Sequence, residues 1–159
     1  MKALTLTQPW ATLVAIGAKQ IETRSWSTTY RGPLAIHSAK GFPKWARDFT
    51  MEPVCYEAVR YCDSRRSSDQ RPVDLLAAYP LGYILATCRL VNVLPTEVVD
   101  NENNVWGVSL PPLSAQEKAF GDYSPGRYAW ILEEVKELEN PVLARGSLGL
   151  WEWSEDADD

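Results

Sequence analysis

An almost uncharged, β-branched segment at residues 81–93, LGYILATCRLVNV, constrains the fold of this chain more than any other stretch. Its length and composition predict a strand at the centre of a sheet. Shorter segments with strand-like character occur elsewhere, at residues 2–7, 19–24, 34–38, 127–135 and 150–153. Strands and long helices do not alternate, which disfavours a doubly wound parallel sheet. The pattern predicts an α+β domain, a mainly antiparallel, partly closed β-barrel with a few flanking helices.

Short helices are predicted between these strands. Residues 10–16 carry apolar side chains at helical spacing, and Gly17 ends that helix in a left-handed conformation. Further helical segments are predicted over residues 43–62, where Pro53 begins a second helix, and near residues 96–101. The polar stretch 63–72 and most of 95–125 are predicted to be irregular. We expect a single domain over residues 1–153 and a frayed acidic tail over 154–159.

The charge distribution is uneven along the chain. The 159 residues include 16 Lys and Arg against 21 Asp and Glu, a net charge of −5, which excludes a wholly basic nucleic-acid coat. Residues 1–50, however, carry seven basic side chains against two acidic ones. Local potential decides binding, so this third of the chain can present a positive face to phosphates. Scattered surface charges explain the same count equally well.

Cysteine and histidine usage bears on redox compartment and cofactors. Three cysteines without a CxxC pair indicate neither a disulfide framework nor a zinc site, and a cytoplasmic location is expected. The single histidine, His37, offers no spaced metal-ligand set, and no phosphate-binding glycine loop is present. We therefore predict no metal site and no cofactor, apart from Mg²⁺ or Mn²⁺ held loosely by carboxylates and phosphate. No apolar run of about 20 residues is present, so no membrane association is predicted.

The segment Gly17–Arg24, GAKQIETR, gathers charged side chains just after the first helix. In a strand, Glu22 and Arg24 project side by side, and Lys19 follows the helix-ending glycine. A half-buried lysine beside a carboxylate can act as a general base or as an anion clamp. A salt-bridged strand face is the structural alternative, and it is the commoner use of such residues.

This segment resembles the GxKxxExR signature of the ASCH (activating signal cointegrator homology) family. Four other stretches are similar to ASCH sequences and occur in the expected order: LTLTQPWA at 4–11, GPLAIHSAK at 32–40, PGRYAW at 125–130 and GSLGLW at 146–151. The resemblance implies the fold of the PUA RNA-binding superfamily. It also implies a cleft beside the first helix that is suited to RNA, other single-stranded nucleic acid or a single nucleoside. RNA is the favoured partner.

The resemblance also implies which residues form the cleft. The polar residues carried over from the signature are Lys19, Glu22 and Arg24. Neighbouring residues assigned to nucleic-acid binding are Gln8, Trp10, Trp26, Arg31, His37 and Lys40. Because an unpaired base stacks on an aromatic ring, Trp10 and Trp26 are the predicted stacking platforms, whereas Trp130 and Trp151 are predicted to lie in the core.

A second class of function follows from the same resemblance. Some ASCH-like proteins remove the acyl group from N4-acetylcytidine with a lysine, a threonine and a glutamate, and others are ribonucleases. Lys19 matches the lysine, but Glu22 occupies the threonine position, and a carboxylate cannot replace a hydroxyl nucleophile without a change of chemistry. A hydrolase would therefore use Lys19 and Glu22 as its catalytic residues, with Glu22 activating water. An acidic protein-interaction module is a third alternative.

Overall fold

A computed structural model describes residues 1–66, 75–100 and 112–155 of the chain. Within these residues the strands are β1 (Lys2–Leu6), β2 (Ile21–Arg24), β3 (Gly32–Ser38), β4 (Tyr83–Pro95), β5 (Tyr128–Leu143) and β6 (Leu150–Glu152). The helices are α1 (Trp10–Ala15), α2 (Lys44–Phe49), α3 (Pro53–Arg66), α4 (Leu75–Ala78), α5 (Thr96–Val99) and α6 (Ala115–Ala119).

The strands form one sheet in the order β2-β5-β4-β3-β1-β6. Only the β1–β3 pair is parallel among these strands. The β4 strand lies inside the sheet, and its pairing with β5 shifts register at several points. Such bulges increase local twist and curl a sheet. The result confirms the predicted α+β class and the PUA-like, mainly antiparallel, partly closed sheet.

The main core lies on the face of the sheet that α1 covers. Leu34 and Ile36 of β3 point into this core, whereas Ala35 between them packs in a second cluster with Trp153. The alternation follows from the two-residue period of a strand. A third cluster joins α1 to α3 through side chains that include Leu13, Cys55 and Phe120. Helix α1 thus packs against the sheet on one side and against α3 on the other, and this packing fixes the position of the turn that follows it.

Most predicted elements are present, with shifted boundaries. The central strand runs over Tyr83–Pro95, and Pro53 is the first residue of α3, as predicted. The predicted loop over 63–72 was wrong at its start, because α3 continues to Arg66; residues 67–72 lie outside the described ranges. Strand β5 extends eight residues beyond the predicted end at 135, and α6 was not predicted. Residues 156–159 of the predicted tail also lie outside the described ranges.

The described part of the chain contains neither a disulfide nor a long apolar helix. The cysteines Cys55, Cys62 and Cys88 are free. Burial raises the pKa of Cys55 to about 11 and that of Cys88 to about 12. Both are therefore protonated, structural thiols at neutral pH. No helix in the described ranges has both the length and the hydropathy that crossing a bilayer requires.

Candidate functional site

A cleft of about 430 Å³ lies beside α1, between β2 and the loop that follows α6. A volume of this size accommodates a small ligand such as a nucleoside. Among the described residues, the polar ones that line it are Thr7, Glu22, Thr23, Arg24, Asp122 and Arg127. The aromatic side chains that line it are Trp10, Trp45 and Phe120. The cleft thus combines aromatic surfaces with two guanidinium groups and two carboxylates.

The turn after α1 fixes the start of the charged segment. Gly17 adopts φ +79°, a left-handed conformation that favours glycine, and its N–H donates to the Val14 carbonyl at 3.0 Å. The N–H of Lys19 then donates to the Leu13 carbonyl at 3.0 Å. These bonds fold the chain back against the end of α1 before β2 begins at Ile21. Lys19 therefore lies in the turn before β2, and its side chain does not project from either face of that strand.

Glu117 of α6 holds the same turn from the other side. Its carboxylate accepts hydrogen bonds from the backbone N–H of Gln20, at 3.0 and 3.2 Å, and of Ile21, at 2.9 Å. The Ser114 hydroxyl caps α6 by accepting from the Glu117 N–H at 3.0 Å. Glu117 is only 9% exposed. The approach to β2 is thus fixed by a carboxylate almost a hundred residues away in the sequence.

Glu22 lines the cleft and lies between two cations. Its Oε2 lies 3.7 Å from Lys19 Nζ, and its Oε1 lies 3.6 Å from Arg24 Nη1. The Lys19 side chain is fully buried, and its Nζ donates to the Ile21 carbonyl. Lys19 therefore does not line the cleft, whereas Glu22 and Arg24 do. The lysine supports the cleft from behind and compensates the buried carboxylate.

The loop after α6 forms the opposite wall. The Asp122 N–H donates to the Thr23 hydroxyl at 2.9 Å, and Arg127 Nη2 donates to the Thr23 carbonyl at 3.3 Å. Arg127 also lies 3.4 Å from the Asp122 carboxylate. Hydrogen bonds from the Ser124 hydroxyl and N–H, together with the Arg127 charge, hold the pKa of Asp122 below its ordinary value. Both walls of the cleft thus carry a carboxylate and a guanidinium.

A buried phenol lies behind this wall. The Tyr123 hydroxyl has no hydrogen-bond partner in the described part of the chain. Burial raises its pKa, and the nearby carboxylates of Glu117 and Glu22 raise it further. A Cβ added at Gly121 would lie 2.8 Å from the Tyr123 ring and 3.1 Å from Thr23. Glycine is therefore required where the loop passes closest to β2.

Aromatic residues of α1 and α2 form the third side of the cleft. The Trp10 ring stacks on Phe49 with centroids 5.2 Å apart, and the Trp45 ring lies 5.5 Å from Trp10. Trp45 is 64% exposed. A large exposed aromatic ring at the rim of a cleft is a surface on which a ligand can stack. The Trp10 ring packs against the Trp45 ring and holds it in position.

The predicted platform Trp26 is placed differently. Its ring packs edge-on against the fully buried Trp130, with centroids 4.7 Å apart, and Arg24 Cζ lies 5.6 Å from its centroid. Trp26 does not appear in the lining of the cleft. It acts on the site through Arg24, because a guanidinium over an indole face is held by cation–π attraction. Trp130 is in the core as predicted, and Trp151 is half-buried.

Two of the predicted neighbours have structural contacts away from the cleft. Gln8 is fully buried, where it accepts from the Thr12 N–H at 3.0 Å and donates to the Pro80 carbonyl at 2.9 Å. His37 is 1% exposed, with Nδ1 3.1 Å from the Thr5 hydroxyl and Nε2 3.1 Å from the Ala144 carbonyl. Burial lowers the pKa of His37. Neither side chain lines the cleft.

The basic residues of the first third do not gather at the cleft. Arg31 is exposed and donates to the Thr28 and Tyr30 carbonyls, and Lys40 is exposed beside Gly82. Lys2 pairs with an acid on β6, and Lys44 pairs with one on its own helix. Of the seven, Arg24 lines the cleft. Apart from the buried Lys19 and the cleft residue Arg24, the basic side chains of residues 1–50 are therefore spread over the surface.

Sequence reasoning missed Trp45, Arg127, Asp122 and Glu117. Trp45 carried only a weak signal: charged residues surround it in the helix KWARDF, but tryptophan is highly buried on average, so this pattern does not distinguish an exposed ring from a buried one. Glu117 and Asp122 lie in residues 95–125, a stretch predicted to be largely irregular, whereas Arg127 begins the predicted strand 127–135 and lies in the ASCH-like segment PGRYAW, which was the signal that could have identified it. In the described residues, no three His, Cys, Asp or Glu side chains lie close enough together to hold a metal ion.

The architecture and the cleft beside α1 define a PUA-like α+β domain. Comparison with known sequences gives the family. The family model for the ASCH domain matches residues 4–142, and the chain belongs to this family. It is 24% identical over 148 residues to mouse activating signal cointegrator 1, an alignment that covers 93% of this chain and 21% of that protein. The chain thus spans about a fifth of the length of this relative.

Proposed function

We propose that this chain is an RNA-binding domain whose cleft holds one unpaired nucleotide of a single strand. The observation that carries the proposal is the pairing of an exposed Trp45 with two guanidinium groups across a cleft of about 430 Å³. A base stacks on an indole at about 1–3 kcal/mol per base. Arginine is suited to phosphate because its planar fork matches two oxygens. ASCH domains are generally RNA-binding, which agrees with this arrangement.

The cleft favours a single strand over a duplex. Its aromatic surface is reached by a base only when that base is unstacked, as in single-stranded loops and ends. Among the described residues, two carboxylates and two guanidinium groups line the cleft, and the chain as a whole has a net charge of −5. Electrostatic attraction is therefore local, and binding should involve few phosphates.

Fluorescence anisotropy with a labelled single-stranded RNA of nine uridines tests this proposal. If Arg127 neutralises one phosphate, log K falls with log salt concentration with a slope of about −0.7, and Arg127→Gln abolishes most of this slope. Arg31→Gln is the matched control, because Arg31 is exposed and away from the cleft. No binding at low salt, or an equal effect of both variants, would show that the cleft is not the RNA site.

Hydrolysis of a modified nucleoside such as N4-acetylcytidine, or of an RNA strand, is the second candidate. It rests on Glu22, a carboxylate that lines the cleft and is 8% exposed. Glu22 would act as general base on water, with Lys19 holding it in place. Incubation of the protein with N4-acetylcytidine and with labelled RNA, with and without Mn²⁺, tests it. Product formation that is equal in the wild type and in Glu22→Gln would reject this assignment.

A further inference from the structure

The Glu22 carboxylate is an acceptor whose hydrogen-bonding capacity is unused. The residue is 8% exposed, yet its oxygens lie 3.6 and 3.7 Å from the neighbouring cations, longer than direct hydrogen bonds. Within residues 1–66, 75–100 and 112–155, no hydrogen bond ends on either oxygen. Neither oxygen is a buried atom left without a partner, which among the described residues is true only of the Tyr123 hydroxyl, so the carboxylate is open to the solvent of the cleft. Both oxygens are therefore available to hydrogen-bond donors of a ligand in the cleft.

The neighbouring guanidinium completes a recognisable pattern. Two acceptor oxygens of Glu22 stand beside the donor groups of Arg24. The Watson–Crick edge of guanine offers the complement, two adjacent N–H donors at N1 and N2 followed by the O6 acceptor. Uracil has one N–H donor on this edge, and adenine and cytosine place an acceptor nitrogen next to their amino group. In both bases that acceptor nitrogen would face a carboxylate oxygen, and two acceptors with no hydrogen atom between them repel each other.

From this geometry we infer that the cleft selects guanine, with Glu22 accepting from N1 and N2 and Arg24 donating to O6. The inference rests on the proposed function, since it names the base that the same cleft reads. Stacking on Trp45 is tolerant of sequence, because every base has an aromatic face. Discrimination between bases must therefore come from the edge contacts. Lys19 is a positioning residue here, because it holds the carboxylate from below and does not touch the ligand.

The test compares nine-residue RNAs in which the central uridine is replaced by guanosine, adenosine, cytidine or inosine. Adenosine controls for purine stacking, so the ratio of guanosine to adenosine affinity is the readout. A bidentate pair gives a preference of about 5-fold to 150-fold. Inosine lacks the 2-amino group and should bind with an affinity between those of guanosine and adenosine. Inosine requires no change in the protein, so the result is independent of any folding defect.

A pair of protein variants adds a second measurement. Glu22→Gln places an amide donor against the guanine donors and should bring the guanosine-to-adenosine ratio to within about twofold of one. Glu57→Gln, on the exposed face of α3, should leave the ratio unchanged. Equal affinity for guanosine and adenosine, or for guanosine and inosine, overturns guanine selection while RNA binding stands. Absence of binding to all of the RNAs at low salt overturns the proposed function, and guanine selection with it.

Discussion

Removal of the Glu117 carboxylate should destabilise the turn that leads into β2. Glu117→Ala deprives the N–H groups of Gln20 and Ile21 of their charged acceptor. Hydrogen bonds to charged groups contribute about 1.5–3 kcal/mol each. Because this turn is partly open to water, the lower end applies, and the loss of free energy of unfolding should be about 3 kcal/mol in total. For a chain of this length that corresponds to a fall of about 6–12 °C in melting temperature.

Urea unfolding followed by tryptophan fluorescence measures this loss directly. Gln116→Ala is the matched control: its side-chain amide donates to the Ala18 carbonyl at an exposed site, so the change should stay below about 1 kcal/mol. Glu117→Gln retains one acceptor oxygen and should fall between the two. If Glu117→Ala loses less than about 1 kcal/mol, or no more than Gln116→Ala, the carboxylate is not what fixes the turn.

Three further changes probe the cleft and the buried histidine. Trp45→Ala should weaken binding of a nine-uridine RNA by about 1–3 kcal/mol in anisotropy titrations, whereas Met51→Ala, at an equally exposed position, should not. Gly146→Ala should lower the free energy of unfolding by about 1–3 kcal/mol, because the new Cβ would lie 2.4 Å from His37 Cε1; Gly41→Ala, with no atom within 4 Å, is the control. Burial lowers the pKa of His37, so the unfolded chain takes up the proton at a higher pH than the folded chain does. The free energy of unfolding should therefore fall as the pH drops below the ordinary His pKa of 6.5, by at most about 1.4 kcal/mol per pH unit. Thermal melts at pH 5 to 8 measure this dependence, and His37→Gln should flatten it.

Local sequence pattern was sufficient for the residues that lie on one continuous segment. Glu22 and Arg24 are two apart on β2, and both line the cleft, as alternation along a strand predicts. Alternation fails for Lys19, because β2 begins only at Ile21 and the preceding turn is shaped by hydrogen bonds to α1. It also fails for Thr23, which lines the cleft because β2 is an edge strand and the loop after α6 wraps around it.

The rest of the site depends on contacts that local pattern does not encode. Trp45 reaches the cleft because α2 packs its aromatic side chains on Trp10 of α1. Arg127 reaches the cleft, and Glu117 reaches the turn before β2, because the chain returns to β2 after about a hundred residues. Such tertiary pairings are set by the packing of the whole sheet and not by propensity. Only the similarity to ASCH sequences directed attention to the right end of the domain.

The fully buried Lys19 explains how the chain can keep the largely buried Glu22 carboxylate available to the cleft. An unpaired buried carboxylate would be strongly destabilising, so Glu22 requires a cation nearby. A guanidinium in that position would bind both oxygens with its fork and leave none for a ligand, whereas an ammonium is a compact point charge. Lys19 directs its Nζ to the Ile21 carbonyl and approaches only Oε2, from behind. Buried ion pairs add little net stability. The Lys19–Glu22 pair therefore serves ligand binding more than stability: Lys19 compensates the charge of Glu22 and leaves its oxygens available to the cleft.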